Sequence, residues 1–107
     1  MSDAAASIAA MARRIIQGDI DPVLGCRAIV ANHRLLGPVF AHHPSVLAIC
    51  GFESETDHYP MGAPRERWDP AKLLALDQER IAYTELERQS ITEACKEIVV
   101  LCEAISR

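Results

Sequence analysis

The chain has 107 residues, the length of a single domain, and a formal net charge of −4, with 11 Lys and Arg against 15 Asp and Glu. It contains no basic run, which argues against binding along the phosphate backbone of a nucleic acid. No stretch approaches the ~20 apolar residues of a membrane span, and the N-terminus lacks the features of a signal peptide, so we expect a cytoplasmic protein with no membrane partner.

Two helices are predicted in the first third of the chain from apolar residues at helical spacing. The first covers about residues 4–17, and the second runs from Asp21-Pro22 to about Leu36. Gly25 lies in the first turns of the second helix. It is either a tolerated glycine that weakens the helix by roughly 1 kcal/mol relative to Ala, or a point of close approach by the first or the last helix.

Residues 44–52 form a short apolar run, which periodicity alone assigns neither to a buried strand nor to a buried helix. Because a lone strand would leave its backbone groups unpaired, we predict a short third helix here. A last helix begins at Asp69, as N-cap, and Pro70, and no Gly or Pro interrupts it before about Ser106. The predicted fold is an all-α, up-and-down bundle of about four helices in one domain, residues 1–107, with a long C-terminal helix.

The length of the last helix has a consequence for assembly. It is on the order of 55 Å long, whereas a domain of this size has a radius of gyration of about 13 Å. An apolar seam continues to its end in steps of four and three residues: Ile91, Cys95, Ile98, Cys102 and Ile105. We expect the three shorter helices not to cover this seam and predict a homodimer in which a second copy covers it. The alternative is a break near Gln89-Ser90, after which the helix folds back on the first two.

The cysteines and the short motifs predict neither a metal nor a cofactor. Four cysteines occur at positions 26, 50, 95 and 102, without a C-x-x-C spacing, and three of them lie among aliphatic residues. We expect reduced thiols in the core rather than disulfides or metal ligands. A nucleotide-binding fingerprint, a zinc spacing and a nucleophile motif are all absent from the sequence, so we expect no cofactor.

The segment 53–68 is the only long stretch without apolar periodicity, and it contains four carboxylates, one His and two Arg. We expect a polar connecting loop, and such loops often carry binding groups. The candidate binding residues are Glu55, Asp57, His58, Tyr59, Arg65 and Arg67. Two alternatives stay open. The carboxylates can cap turns and pair with the arginines inside the fold, or Glu55, Asp57 and His58 can form a metal or acid–base site.

One run in this segment also resembles known sequences. Ser-Glu-Thr-Asp-His-Tyr-Pro at 54–60, followed by Gly62, Arg65 and Trp68, is similar to a signature S-E-T-D-H-x-P in small bacterial proteins of unknown function. The resemblance implies an all-helical cytosolic protein and brings no established activity or catalytic residue. In size and acidic charge the chain is also similar to immunity proteins, which neutralise bacterial toxins.

The expected function is protein–protein recognition without catalysis, through the 53–68 loop and the polar middle of the last helix at 77–90. A toxin-neutralising immunity protein is the narrower form of this expectation. The partner is then another protein, and the net charge favours a basic one. The alternative is a small metal- or ligand-binding enzyme centred on residues 53–58.

Overall fold

All regular structure in the described part of the chain is helical; the computed structural model describes residues 2–105. The elements are α1 (Asp3–Gln17), α2 (Pro22–Asn32), a 3₁₀ turn (His33–Leu36), α3 (Pro38–Ala41), α4 (Pro44–Thr56), a second 3₁₀ turn (Ala63–Arg67) and α5 (Pro70–Ile105). The predicted all-α bundle with a long C-terminal helix is confirmed. Among the described helices, none combines the length and the apolar character needed to cross a membrane.

The helices α1, α2, α4 and α5 begin where a side chain accepts a hydrogen bond from a free backbone amide of the first turn. At the start of α1, the Ser2 hydroxyl accepts a hydrogen bond from such an amide at 3.2 Å. Gly18, with a left-handed φ of 77°, caps the other end of this helix. The Asp21 carboxylate accepts a hydrogen bond of 2.8 Å from a backbone amide of α2, and the Asp69 carboxylate accepts one of 3.1 Å from a backbone amide of α5. The predicted starts of the second and last helices are therefore confirmed.

Two predicted boundaries are wrong. The second helix, expected to reach Leu36, changes to a 3₁₀ turn after Asn32, because shorter hydrogen-bonded turns tighten the chain before the next glycine, and α3 follows it. The third helix, expected over 44–52, continues to Thr56, so the first four residues of the predicted loop 53–68 are helical. No Gly or Pro interrupts α4 there; Ser54 and Glu55 face solvent, and the buried Thr56 hydroxyl donates to the carbonyl of Phe52 at 2.8 Å.

Arg27 of α2 fixes the end of α4 and the start of the segment that follows. Its Nη2 donates to the carbonyl of Thr56 at 2.9 Å and to the carbonyl of Tyr59 at 2.8 Å. The Thr56 carbonyl also accepts from the backbone amide of Tyr59 at 3.2 Å, and Arg27 adds a charged donor at this end of the helix, where carbonyls lack partners within the helix. The contact ties α2 to the polar segment.

The C-terminal half of α5 lies in the centre of the core. Its buried residues are Ile91, Ala94, Cys95, Ile98 and Cys102. The main neighbours of α5 are α1 and α4, and an ion pair of 3.0 Å joins Arg13 of α1 to Glu103. The reason given for the homodimer is therefore wrong, because the chain's own helices cover this seam except for Ile105. The predicted alternative, a break near residues 89–90, is also wrong, since α5 is continuous over 36 residues.

Gly25 is a point of close approach by α1. A methyl group at this position would lie 2.5 Å from Cγ1 and 2.7 Å from Cδ1 of Ile15. These distances are far below the ~3.5–4.0 Å at which two carbon atoms attract each other most strongly. Of the two alternatives for this glycine, close approach by the first helix is confirmed.

The cysteines lie where their aliphatic neighbours indicate. Cys26, Cys95 and Cys102 are buried and Cys50 is half-buried, and none of the four forms a disulfide within the described residues. Burial raises the pKa of Cys26, and it raises the pKa of Cys95 to about 12. These two thiols are therefore neutral at physiological pH and fill the core as small apolar groups.

Candidate functional site

The six candidate residues from the sequence do not form one cluster. Glu55, His58 and Tyr59 line a common cavity of about 380 Å³ between α4 and α5. The Tyr59 side chain is buried, its ring contacts that of His58 with centroids 4.0 Å apart, and its hydroxyl lies 3.5 Å from the Glu79 carboxylate. Burial, together with the negative charge of Glu79, raises the pKa of Tyr59. The phenol therefore stays protonated and donates to that carboxylate.

Arg65 is held inside the fold. Its Nη1 and Nη2 each lie 2.7 Å from an oxygen of Asp77, and Nη1 also donates to the carbonyl of Pro60 at 3.1 Å. The hydrogen bonds from Arg65, with the charge of Arg80 as a smaller contribution, hold the pKa of Asp77 below its usual value. Such a bidentate pair fixes the orientation of both groups. Arg65 is therefore paired with a carboxylate inside the fold, as one of the alternatives predicted, but this carboxylate belongs to α5 and not to the loop.

Asp57 and Arg67 are exposed and do not line the cavity that Glu55 and His58 share. Neither makes a hydrogen bond or an ion pair with the residues that the structure describes. Within the same residues, no group of three or more His, Cys, Asp or Glu side chains is placed to hold a metal ion. That the protein carries no metal stays a prediction.

Arg80 joins α5 to the beginning of α2, next to the pair of Arg65 and Asp77. Its side chain is 12% exposed, forms a close ion pair with Asp21 and stands 3.6 Å from Asp77. Because Asp21 also caps α2, one carboxylate stabilises the start of one helix and the position of another. The Arg80 Nε and the Thr84 hydroxyl are buried without a hydrogen-bond partner among the described residues. This charge network is structural, since it holds α5 beside the polar segment.

Three adjoining cavities form one groove along the boundary of α4 and α5. The first, about 380 Å³, shares Glu55 and Tyr83 with a second of about 400 Å³, and the second shares Ala48 and Ser90 with a third of about 420 Å³. The rings of Phe52 and Tyr83 stack between the two helices, with 5.7 Å between centroids and 3° between planes. This continuous surface is the α4/α5 groove.

One face of α5 lines the whole length of the groove. The residues on it advance in steps of four and three: Glu79, Tyr83, Leu86, Ser90, Glu93 and Glu97. This is the spacing of the seam at which two helices of a coiled coil meet. Leu86 lies in the middle and is 81% exposed. The stripe therefore has the geometry of a helix-packing face, and no described helix of this chain covers its centre.

The α4/α5 groove is strongly acidic. Its carboxylates come from both helices: Glu55, Glu79, Glu87, Glu93 and Glu97. Among the described residues no Lys or Arg lines it, and its basic side chains are His43 and His58. Carboxylates of one sign along a concave surface focus a negative potential there, which raises the local concentration of cationic groups.

The side of the groove formed by α4 carries small residues. Ser45, Ala48 and Gly51 follow one another at intervals of three. Gly51 is exposed, and a methyl group on it would meet no described atom within 4 Å. A glycine inside a helix costs roughly 1 kcal/mol relative to Ala, and packing within the chain gives no reason for it here. Its small size permits another backbone to approach α4 from outside.

The polar middle of the last helix, at 77–90, is part of the predicted recognition surface, but none of its residues is among the six candidate binding residues. The structure places that middle beside Glu55, His58 and Tyr59. The signal was present in the spacing of positions 79–97, which runs on the same helix as the buried seam. Leu86 and Tyr83 are the only large apolar side chains in the stripe, so apolar periodicity alone does not reveal it.

Comparison of the chain with models of known protein families, with curated proteins and with solved structures finds no match. The resemblance to proteins that carry S-E-T-D-H-x-P stays a prediction. In the fold this run covers the end of α4 and the turn after it, where Thr56 and Tyr59 are buried and their carbonyls accept from Arg27. Part of the run therefore stabilises the end of a helix.

Proposed function

We propose that the chain is a non-catalytic protein-recognition module whose α4/α5 groove binds a basic amphipathic helix of another protein. The observation that carries the proposal is the α5 stripe at coiled-coil spacing, with Leu86 at its centre and carboxylates towards both ends. A helix packed there covers Leu86 and Tyr83 with its apolar face. Its Lys and Arg side chains then meet the carboxylates along the margins.

The dimensions of the groove suit several turns of helix. From residue 79 to residue 97, α5 rises roughly 27 Å, which is about five turns. The small side chains of Ala48 and Gly51 let the partner backbone approach α4, while Leu86 supplies the apolar contact at the centre. An apolar centre with a charged margin is the usual anatomy of a specific interface.

The charges favour a basic partner over a second copy of this chain. A second copy in the groove would bring the same carboxylates against Glu79, Glu93 and Glu97, and like charges placed opposite one another suppress binding. A basic helix meets opposite charges towards both ends of the groove, although Glu93 already lies 3.8 Å from Lys96, and the negative potential also speeds the encounter with the protein.

A toxin-neutralising immunity protein is the narrower form of this proposal. It rests on the small size and the net charge of −4, and the acidic groove suits a toxin with a basic surface. A toxin gene immediately next to the gene for this chain would support the narrower function, because immunity proteins act on the toxin produced beside them.

The homodimer predicted from the sequence stays a proposal, now through another surface. A mostly apolar cavity of about 260 Å³ lies between α3 and the end of α5; among the described residues its lining includes Val39, Leu101 and Ile105, with His43 but no Asp, Glu, Lys or Arg. Val39 is 89% exposed, an unusual position for a large apolar side chain beside other apolar groups. A second copy can cover this surface through an isologous contact without opposing like charges.

The groove is tested with two synthetic helical peptides that share a Leu seam and differ only in having Lys or Glu at the flanking positions. We expect the Lys peptide to bind, the Glu peptide to bind at least ~10-fold more weakly, and the difference to shrink as salt screens the charges. The double variant Glu93→Lys and Glu97→Lys reverses the charge at one end of the groove and should bind the Glu peptide more tightly than the Lys peptide. Fluorescence anisotropy of labelled peptides measures all of these affinities.

Gly51→Leu separates binding from folding. The new side chain enters the groove without touching the core, so the melting temperature should not fall while affinity for the Lys peptide drops at least ~10-fold, since a bulky side chain blocks close helix approach. The matched control is Ala10→Leu, at an exposed position of α1, which should leave affinity unchanged. Equal binding of the two peptides, or normal affinity in Gly51→Leu, would overturn the proposal.

A further inference from the structure

A second concave surface lies on the other side of α4, away from α5. It is a cleft of about 630 Å³ between α2 with its 3₁₀ turn, α3 and α4. Val30, Pro38 and Leu47 contribute apolar walls, and Leu47 is half exposed at its edge. The volume is within the range of about 300–1,000 Å³ found for small-molecule sites. We refer to this surface as the α3/α4 cleft.

The charge of the α3/α4 cleft is opposite to that of the chain. Its ionisable basic side chains are His33, Arg34 and His42, and no carboxylate is among the residues that line it. The chain as a whole has a net charge of −4. Burial raises the pKa of the Cys50 thiol, the charge of Glu53, which lies outside the lining, raises it further, and the charge of Arg34 lowers it. The cleft therefore has a basic wall with a carboxylate beyond its edge.

Arg34 is available for a ligand. Its guanidinium makes no hydrogen bond or ion pair with any described residue, in contrast to those of Arg27, Arg65 and Arg80, each of which is held by the fold. A guanidinium presents parallel N–H groups that match the two oxygens of a carboxylate. An unpaired arginine beside apolar walls thus provides one fixed positive charge and a defined geometry.

Both histidines present a defined tautomer. The Nδ1 of His33 lies 2.6 Å from the carbonyl of Val30, and the Nδ1 of His42 lies 2.8 Å from the carbonyl of Pro38. A carbonyl only accepts, so each Nδ1 carries the hydrogen, and Nε2 of the neutral ring is left as an acceptor. Neither Nε2 bonds to a described residue. The two rings add hydrogen-bonding groups to the cleft, and among the described residues Arg34 is the one Lys or Arg side chain that lines it.

We propose that the α3/α4 cleft binds a small monocarboxylate with an apolar body, its carboxylate paired with Arg34 and its body packed on Val30, Pro38 and Leu47. One permanent cation balances one negative charge, which favours a carboxylate over a doubly charged phosphate. The half-buried Cys50 thiol lies in the same wall. Burial raises its pKa, so the thiol is mostly uncharged at neutral pH and contributes apolar surface to the cleft. This site is independent of the α4/α5 groove.

Calorimetric titration with octanoate tests the site, with acetate and octanol as matched probes. Octanoate should bind, whereas acetate, which lacks the body, and octanol, which lacks the charge, should each bind at least ~10-fold more weakly, because the site recognises both features. Arg34→Gln should weaken octanoate at least ~10-fold through the lost charged hydrogen bonds. Arg67→Gln is the matched control, since Arg67 is also exposed and makes no bond with a described residue.

A second readout reports the location of the ligand. Cys50 is the half-buried cysteine of the chain and lines the cleft, so octanoate should slow its alkylation by iodoacetamide in the folded protein, measured by mass spectrometry. Gly51→Leu should leave octanoate binding unchanged, which distinguishes this site from the groove. Octanol binding as tightly as octanoate, unchanged affinity in Arg34→Gln, or no binding of octanoate would each overturn the proposal.

Discussion

Replacing Gly25 and Gly51 with Ala should change the stability of this protein in opposite directions. Both glycines lie inside helices, and intrinsic propensity alone predicts that Ala stabilises either helix by about 0.8–1.0 kcal/mol. Their surroundings differ. A methyl group at Gly51 meets no described atom within 4 Å, whereas one at Gly25 would lie 2.5 Å from Cγ1 of Ile15. Propensity therefore decides the first substitution, and packing decides the second.

The expected magnitudes follow from these distances. Gly51→Ala should raise the free energy of unfolding by about 0.5–1 kcal/mol, which corresponds to roughly 2–8 °C in a domain of this size. Gly25→Ala gains the same propensity term but overpacks the contact of α1 and α2, which typically costs about 1–3 kcal/mol. Ile15 is itself buried and cannot move aside freely. The net expectation for Gly25→Ala is a loss of up to about 2 kcal/mol.

Urea unfolding followed by circular dichroism measures both variants, and an unchanged dependence on denaturant shows that the compared states are the same. Ile15→Val removes the Cδ1 atom from the contact, so the double variant with Gly25→Ala should lose less stability than the sum of the two single variants. A Gly25→Ala protein more stable than the parent, or a Gly51→Ala protein less stable by ~0.5 kcal/mol, would contradict the packing deduced for these helices.

Two further outcomes concern a surface charge and the assembly. Asp77→Asn should lower the free energy of unfolding at neutral pH, because the pKa of Asp77 is lowered in the folded protein. The stability that the carboxylate contributes is complete above its ordinary pKa of about 3.9 and is lost as the pH falls through the folded pKa. The urea midpoints of the two proteins should converge in that acidic range, and a constant gap would contradict the ion pair with Arg65. For the dimer, light scattering should give twice 11.8 kDa for the parent protein and 11.8 kDa for a folded Val39→Glu variant, while Ile98→Glu, at a fully buried position, should unfold. A monomeric parent at micromolar concentration would reject the dimer.

Local signals predicted the helices well because each start has its own chemical cause. Asp21 and Asp69 accept hydrogen bonds from the first turns of α2 and α5, and a proline follows each of them. The continuous α5 follows from the lack of Gly and Pro. The end of α4 could not be predicted in this way, because it depends on Arg27, which is 29 residues from Thr56 and reaches its carbonyl only in the folded chain.

The candidate site was predicted only in part because it is made by two distant segments. Glu55, His58 and Tyr59 lie in the polar run that the sequence singles out, but Arg65 of the same run pairs with Asp77, 12 residues further on. The homodimer argument failed for a similar reason. Periodicity showed an apolar seam on α5 but not that α1 would cover it. The ion pair between Arg13 and Glu103 joins residues 90 positions apart, and no local sequence pattern predicts such a contact.

The packing of α1 against the last turns of α5 also affects the order in which the protein can fold on the ribosome. α1 is made before α5, yet its apolar face, which includes Ile8 and Ile15, gains its main covering helix only after α5 has been synthesised and has left the exit tunnel. Until then α1 exposes apolar surface that can associate with other nascent chains or recruit a chaperone. Completion of the core therefore requires α5, and contacts between residues so far apart make folding slower than the local helices alone would allow.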